Sequence, residues 1–333
     1  MTHMDRGRQG ARKVLRWFAA RLPMTLGLLL MATVAGTLGR HHWLLDLVAH
    51  FKLHAALVAL FCGSVAGASR RPKSAATAVV LLLVNAWPLG QLWRAPKRGL
   101  VTDAVAPHRP DKARLTLVSY NVNTANGAFD DVIAALRETQ ADIIAVLETN
   151  QQWTQALLRV DPSYRVLAHP RSDNFGLTVL SRLPVRRWQV RFMTPALVPV
   201  IDATVDVDGL DLRIIALHTM PPINALGSAN RDIELMEVAE LARTTTETMV
   251  VLGDFNATPW SAALVRFGRA SGLSDSLQGV GAQPSWPAPL GPLGIPIDHL
   301  WHRPTMKTVA RRVGAAWGSD HRLVWVQMTV PGR

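Results

Sequence analysis

The chain has one cysteine, Cys62, and it lies in an apolar run. A single thiol excludes a disulfide framework and a thiolate zinc site, and it leaves either redox compartment open. Acidic residues are scarce at the N-terminal end, where positions 1–98 carry about 2 of them against about 14 Lys and Arg. Positions 99–333 hold about 22 basic and about 22 acidic residues, so the net charge of +12 belongs to the first hundred residues. A basic total of this size usually points to a polyanion such as nucleic acid, and the C-terminal part does not share it. No internal repeat is visible as sequence identity.

What is abundant is apolar surface, 49% of 333 residues, enough for one large domain plus an appendage. It is concentrated locally. From Trp17 to Leu38 the chain is almost uncharged after Arg21, which supplies roughly the 20 residues needed to cross a hydrocarbon core. A second run covers Ala55 to Ala68 and a third Ala75 to Trp93, the latter with Asn85 and Pro88. The second is short, fitting either a span that begins near a snorkelling Lys52 or a re-entrant segment. A basic start and apolar middle also fit a cleaved signal peptide, but the length of the first run and the two runs after it favour a span. Residues 1–93 therefore read as a membrane region of about three transmembrane helices in the plasma (inner) membrane. Three spans would place Arg6, Arg8, Arg12, Lys13 and Arg16 with the Arg70, Arg71 and Lys73 loop in the cytoplasm, and the C-terminal half outside. Two spans satisfy the same charge tally and return that half to the cytoplasm. Residues 94–113, with Pro96, Gly99, Pro107 and Pro110 and no periodicity, read as a linker.

Residues 114–333 alternate strand and helix patterns. Leu115–Tyr120 suits a strand delivering Asn121 to a sheet edge, and the buried run Asp142–Leu147 ends at Glu148. Helical spacing covers Asp130–Thr139 and about Asn230–Arg243. Further strands fit Leu177–Ser181, Val198–Val207, Leu212–Leu217 ending at His218, and Met249–Leu252 running into Gly253-Asp254-Phe255-Asn256. Three more fit Ile297–His302, Thr308–Val313 and Leu323–Met328. Strand ends bearing metal-capable side chains are where open sheets place ligand sites.

Asn121, Glu148, His218, Gly253-Asp254-Phe255-Asn256, Ile297-Asp298-His299 and Ser319-Asp320-His321 stand in an order that resembles the endonuclease/exonuclease/phosphatase superfamily, the DNase I-like fold. Each block alone is weak; six in register over residues 114–330 are specific. The resemblance implies an α/β fold, a four-layer α/β/β/α sandwich, preceded here by the N-terminal transmembrane helices. It also implies a divalent-metal site with Glu148 as principal ligand, helped by Asn121 and Asp320, where hard oxygen donors suit Mg2+ or Mn2+. Phosphoester hydrolysis needs an in-line water, charge neutralisation at the phosphoryl oxygens and a proton for the leaving oxygen. On this mapping His321 is the base or phosphate-polarising group, Asp298 its orienting carboxylate, and His218 the acid. Asp254 positions the water and Asn256 bonds a phosphoryl oxygen. His299, on the opposite strand face from Asp298, reads as structural. Trp286, Asn174 and Arg231 are candidate substrate contacts, each with a packing or solvated alternative. Arg182, Arg186, Arg187 and Arg191 read as a solvated edge rather than a polyanion patch.

The same metal site serves nucleic acids and lipid phosphates in this superfamily. The neutral C-terminal half lacks the basic surplus of a dedicated duplex-DNA enzyme, and the short Pro-bearing stretch from His218 to Asn230 lacks basic insertions. Tethering beside a bilayer raises the effective concentration of lipid-linked phosphates. The arrangement of spans and domain resembles the bacterial membrane-bound branch with VanJ-type proteins, which implies an extracytoplasmic phosphatase acting on polyprenyl pyrophosphate carriers. The expected activity is a membrane-anchored metal-dependent phosphoesterase on a lipid-linked phosphate, with the bilayer as partner. A nuclease of the same fold is the alternative, and a catalytically silent scaffold the third reading.

Overall fold

The computed structural model describes residues 3–94 and 114–331, so nearly all of the expected 94–113 linker lies outside the described residues. These residues divide into a helical unit, the chain up to Gln91 together with Trp260–Ala262, and a larger α/β unit that holds the rest from Leu92 on.

The helical unit holds α1 (His3–Thr37), α2 (Trp43–Ala49), α3 (Lys52–Ala68) and α4 (Pro72–Gln91). Two segments, Arg12–Thr37 with 26 residues and Pro72–Gln91 with 20, are long and apolar enough to cross a membrane. The short second run lies in α3, which is bent by 58° from α2, so the pair is either one broken span or a re-entrant loop. Large apolar side chains such as Met31, Leu83 and Trp87 point outward, the reverse of a soluble bundle. Inside, Asn85 donates to the Thr33 hydroxyl at 2.9 Å and to the Leu81 carbonyl at 2.9 Å, which satisfies the amide and ties α4 to α1.

In the larger unit the strands are β1 (Arg114–Asn121), β2 (Ile143–Leu147), β3 (Arg165–His169), β4 (Leu177–Ser181), β5 (Val185–Phe192), β6 (Pro199–Val207), β7 (Leu210–His218), β8 (Thr248–Asp254), β9 (Ser274–Asp275), β10 (Asp298–His302), β11 (Lys307–Val313) and β12 (Val324–Thr329). They form two six-stranded sheets, ordered β11-β12-β1-β2-β4-β3 and β5-β6-β7-β8-β10-β9. Helices α5 (Phe129–Glu138) and α6 (Gln151–Leu157) follow β1 and β2, while α7 (Ala225–Thr244) and α8 (Ala262–Ser271) flank β8.

Strand periodicity explains the layering. Leu115 and Leu117 of β1 face the same core as Ile201, Ala203, Ile214 and Leu252 of the other sheet. Val118 and Tyr120, one residue out of phase, pack under Val132 and Leu136 of α5 and Trp153 of α6. In the second sheet Ile215, Leu217 and Val251 pack under Leu235 and Val238 of α7 and Phe267 of α8. The result is the expected α/β/β/α sandwich, in which most strands are buried on both faces. That explains why β2, β7 and β8 read as continuous apolar runs.

The most exposed strand is β5, an edge strand that the sequence pattern did not mark because its side chains are mostly exposed. Its arginines are the solvated edge, each facing an acid. Arg186 meets Asp206 at 2.9 Å and Asp211 at 2.7 Å, Arg187 meets Glu247, and Arg191 meets Asp202 at 2.6 Å. Charged edges of this kind discourage pairing with other chains.

Two glycines bring the site-bearing strand ends together. Gly253 has φ of +145°, and a Cβ there would lie 1.8 Å from the Leu217 carbonyl oxygen. At Gly176 a Cβ would lie 1.8 Å from the Thr149 oxygen. Gly253→Ala is expected to destabilise the α/β unit by at least about 3 kcal/mol, whereas Gly127→Ala, with open space around it, stays within about 0.5 kcal/mol. Chemical denaturation followed by tryptophan fluorescence checks the contrast, and equal stability of the two variants would refute the packing argument.

Candidate active site

Six polar side chains meet where the two sheets end. Asn121 closes β1 and sits opposite Leu147, so Glu148 is the next residue out on β2. In the other sheet His218 pairs with Asp254, and Asp254 with Asp298. Asn121 spans the gap between sheets: its amide donates to Glu148 Oε1 at 2.8 Å and to Asp254 Oδ2 at 3.4 Å. His321 closes the arrangement, with Nδ1 at 2.9 Å from Asp298 Oδ2 and Nε2 at 3.6 Å from Asp254 Oδ2. His218 Nε2 lies 3.5 Å from the same Asp254 oxygen.

The Ser-Asp-His loop is held for reasons local to its sequence. Ser319 donates to the Asn121 carbonyl at 2.7 Å and accepts from the His321 backbone at 3.0 Å. Asp320 accepts from Asn123 at 2.8 Å and from the Trp286 indole at 2.9 Å. The structure thus brings together Asn121, Glu148, His218, Asp254, Asp298, Asp320, His321 and Trp286. Asn256 borders them, fixed by its amide donating to the Thr219 carbonyl at 2.8 Å, while its backbone N–H caps Asp254 at 2.8 Å. Asn174 is an exposed neighbour on the loop whose Phe175 ring lies 5.2 Å from the His218 ring. Arg231 is not an exposed helix residue. It is buried, donating to the Asn256 carbonyl at 3.2 Å and to Asp232 at 2.9 Å, so it supports the loop from beneath. His299 bonds the Ala257 carbonyl at 2.8 Å on the far face of β10, as its strand parity requires.

Sequence reasoning did not single out Asn123 or Thr124. Thr124 donates its N–H to Glu148 Oε2 at 3.3 Å and its hydroxyl to the Glu148 carbonyl at 2.9 Å. The signal was available in Asn121-Val122-Asn123, where two polar residues flank a buried valine past the strand end. Asn123, Glu148, Asn174 and Asn256 all have positive φ, and such strain gathers where a site must be held in one geometry.

The electrostatics separate the roles. Burial pushes the Asp254 carboxyl up, and the Asp298 charge adds to it, to about 6; it is ionised at neutral pH yet close to a useful base. Burial opposes protonation of His321, but the Asp298 carboxylate beside it wins and raises the ring to about 10. His321 is therefore an imidazolium at neutral pH, suited to polarising a phosphoryl oxygen rather than to taking a proton. Burial raises the Asp298 carboxyl, and the His321 charge outweighs it and holds it below the usual range. Burial lowers His218, leaving it neutral until an anion arrives. Burial also raises the half-buried Glu148 carboxyl, against the lowering by Asn121.

Among the described residues, Asp254, Asp298 and His321 form a compact group whose ligand-type atoms lie within 4.8 Å of one another. The Asp298–His321 hydrogen bond accounts for that closeness without an ion. Glu148 takes its hydrogen bonds from the neutral Asn121 and Thr124, while the His321 charge favours its ionised form and Asp320 repels it. An all-oxygen set around Glu148 fits a hard dication.

Comparison with known proteins agrees with the geometry. The model of the Endonuclease/Exonuclease/phosphatase family matches residues 118–321. The chain belongs to this family. Among solved structures, one of D. rerio TDP2 complexed with single strand DNA product aligns at 16% identity and a TM-score of 0.57, covering 66% of this chain and 100% of that one. Family proteins from Bacteroides thetaiotaomicron (17%, TM-score 0.53, covering 66% and 98%) and Bacteroides vulgatus (16%, TM-score 0.55, covering 65% and 99%) align similarly. At these identities the likeness shows the fold. No curated protein matches the sequence. As a family member the chain is a metal-dependent phosphoesterase or nuclease, a hydrolase of phosphoester bonds.

The His321–Asp298 pair sets a pH signature. A ring raised from about 6.5 contributes stability that is full below that value and lost as pH rises through about 10; Asp298, held low, contributes stability present above about 3.9 and lost on acidification. NMR titration is expected to place the His321 midpoint near 10, and Asp298→Asn to lower it, since the carboxylate that contributes most is then gone while Asp254 and Asp320 still act against burial. A midpoint unmoved by that substitution would show that the carboxylate does not hold the proton. Glu148→Gln is expected to weaken Mn2+ binding at least about tenfold by calorimetry, and unchanged affinity would exclude Glu148 as a ligand.

Proposed function

We propose that this protein is a membrane-anchored phosphoesterase that hydrolyses a lipid-linked phosphate by in-line attack of water. The observation that carries the reading is the pairing, in one chain, of helices long and apolar enough to span a bilayer with a family catalytic unit that has no basic surplus. An enzyme held at a membrane meets lipid phosphates at high effective concentration, while a polyanion groove would need unpaired Lys and Arg. The order of spans and domain also supports the membrane-bound branch with VanJ-type proteins, and with three spans an extracytoplasmic catalytic unit.

In this reading Glu148, Asn121 and Asp320 hold Mg2+ or Mn2+. Bound there, the cation supplies Lewis acidity at the phosphoryl oxygens. Asp254 orients the water and accepts its proton. His321, charged by Asp298, steadies a phosphoryl oxygen, and Asn256 presents its amide edge nearby. His218 gives a proton or an N–H to the leaving side once the phosphate charge has raised its affinity for protons. Trp286 keeps Asp320 in place through its indole N–H.

Turnover of polyprenyl pyrophosphate, phosphoinositide and plasmid DNA by the purified full chain with Mg2+ tests the assignment. Lipid phosphate is expected to be consumed, with Glu148→Ala and His321→Ala each lowering the rate about 100-fold or more. Plasmid nicking with no lipid turnover would establish the nuclease instead. A reporter fused after Arg333 that is active only in the cytoplasm would refute the outside placement.

A further inference from the structure

Eight large apolar side chains of the α/β unit are at least 47% exposed among the described residues: Ile223 74%, Leu226 72%, Trp93 68%, Leu197 58%, Leu158 51%, Leu290 49%, Phe192 47% and Leu293 47%. All but Trp93, which precedes β1, and Leu158, which follows α6, belong to the end that carries the cleft. Phe192 pairs with Pro199, and Val200 with Leu217, one residue before His218, so Leu197 extends beyond the same strand ends. Ile223 and Leu226 follow His218 directly. The loops interlock: Arg171 donates to the Leu197 carbonyl at 3.1 Å, Ala196 donates to Asn230 of α7 at 3.2 Å, and Phe175 stacks near His218. On the other side Leu290 and Leu293 follow Trp286, and the Ala288 N–H donates to the Asp320 carbonyl at 2.7 Å.

Two further observations mark this rim as built for an apolar occupant. Leu197 has φ of +50°, the left-handed region that a leucine enters only when held, here with its side chain outward. Segments 192–198, 219–226 and 286–294 contain no Lys or Arg, and the adjoining Arg171 is committed to Asp173 at 2.8 Å. A nucleic-acid strand crossing these three segments would find no Lys or Arg in them for its phosphates. A ligand filling cleft and rim together has a phosphate at one end and hydrocarbon at the other.

We propose that the rim formed by Leu197, Ile223 and Leu226 on one side and Leu290 and Leu293 on the other binds the hydrocarbon chain of the phosphate ester cleaved below it, and so selects long-chain substrates. This rests on the lipid-phosphate reading of the site. Binding of inorganic phosphate and of butyl, hexyl and octyl phosphate to the full chain in nanodiscs, with Mg2+ and with empty discs subtracted, tests it by calorimetry. Affinity is expected to rise about two- to fourfold per added methylene. In I223N/L226N, and separately in L290N/L293N, that slope should fall by half or more with phosphate affinity retained, while L158N keeps the full slope. A flat slope in the unmodified chain, or one unaltered in both double variants, would overturn the proposal and leave the rim for a protein partner. Turnover is not the readout, so a chain that cleaves only DNA would refute the lipid-phosphate reading while the slope still decides the rim.

Discussion

The buried Asp254 carboxylate is the point on which both halves of the sandwich converge. One of its oxygens faces Asn121 and His321 from the first sheet and its β11–β12 loop, and His218 from the second, all within 3.6 Å. A carboxylate taken out of water costs several kcal/mol unless its surroundings compensate, so the sheets are held in the one relative placement that supplies an amide and an imidazolium. The shared core sets that placement. Leu117, Ala145, Leu252 and Leu300 belong to one cluster, and they fix how far each strand end reaches.

Charge balance within the cleft then assigns the chemistry. Asp298 keeps His321 protonated, and His321 in turn lowers Asp298, so the pair acts as one dipole aimed at Asp254. Removing either partner of such a buried pair leaves an uncompensated charge, at a cost of about 3–5 kcal/mol. Glu148, set behind Asn121 and Thr124, shares the His321 charge with Asp254 and Asp298, and a hard dication would complete the balance. The polar machinery and the apolar rim above it suit a ligand with a charged head and a hydrocarbon body.

Much of this was legible in the residues. Apolar runs ending in Asn121, Glu148, His218 and Asp254 predicted strands with polar tips because doubly buried strands must be apolar until they emerge. The acid-matched arginines of β5 predicted a solvated edge. Other elements were hidden. β3 and β5 lack a clean pattern because edge strands bury little, and α6 is too short for periodicity to show. Asn123, Thr124 and the supporting position of Arg231 depend on loops from distant parts of the chain, whose approach no local pattern encodes.

By itself the sequence determined the layer each residue occupies, because burial on one or both faces dictates hydrophobic period. It also determined the family, through six short blocks in order. Only the tertiary structure decided that His321 is charged and His218 neutral, that Arg231 lies beneath the site, and that scattered leucines gather at its mouth. Protonation and clustering depend on distances between residues far apart in the chain, and those distances exist only once the two sheets share a core.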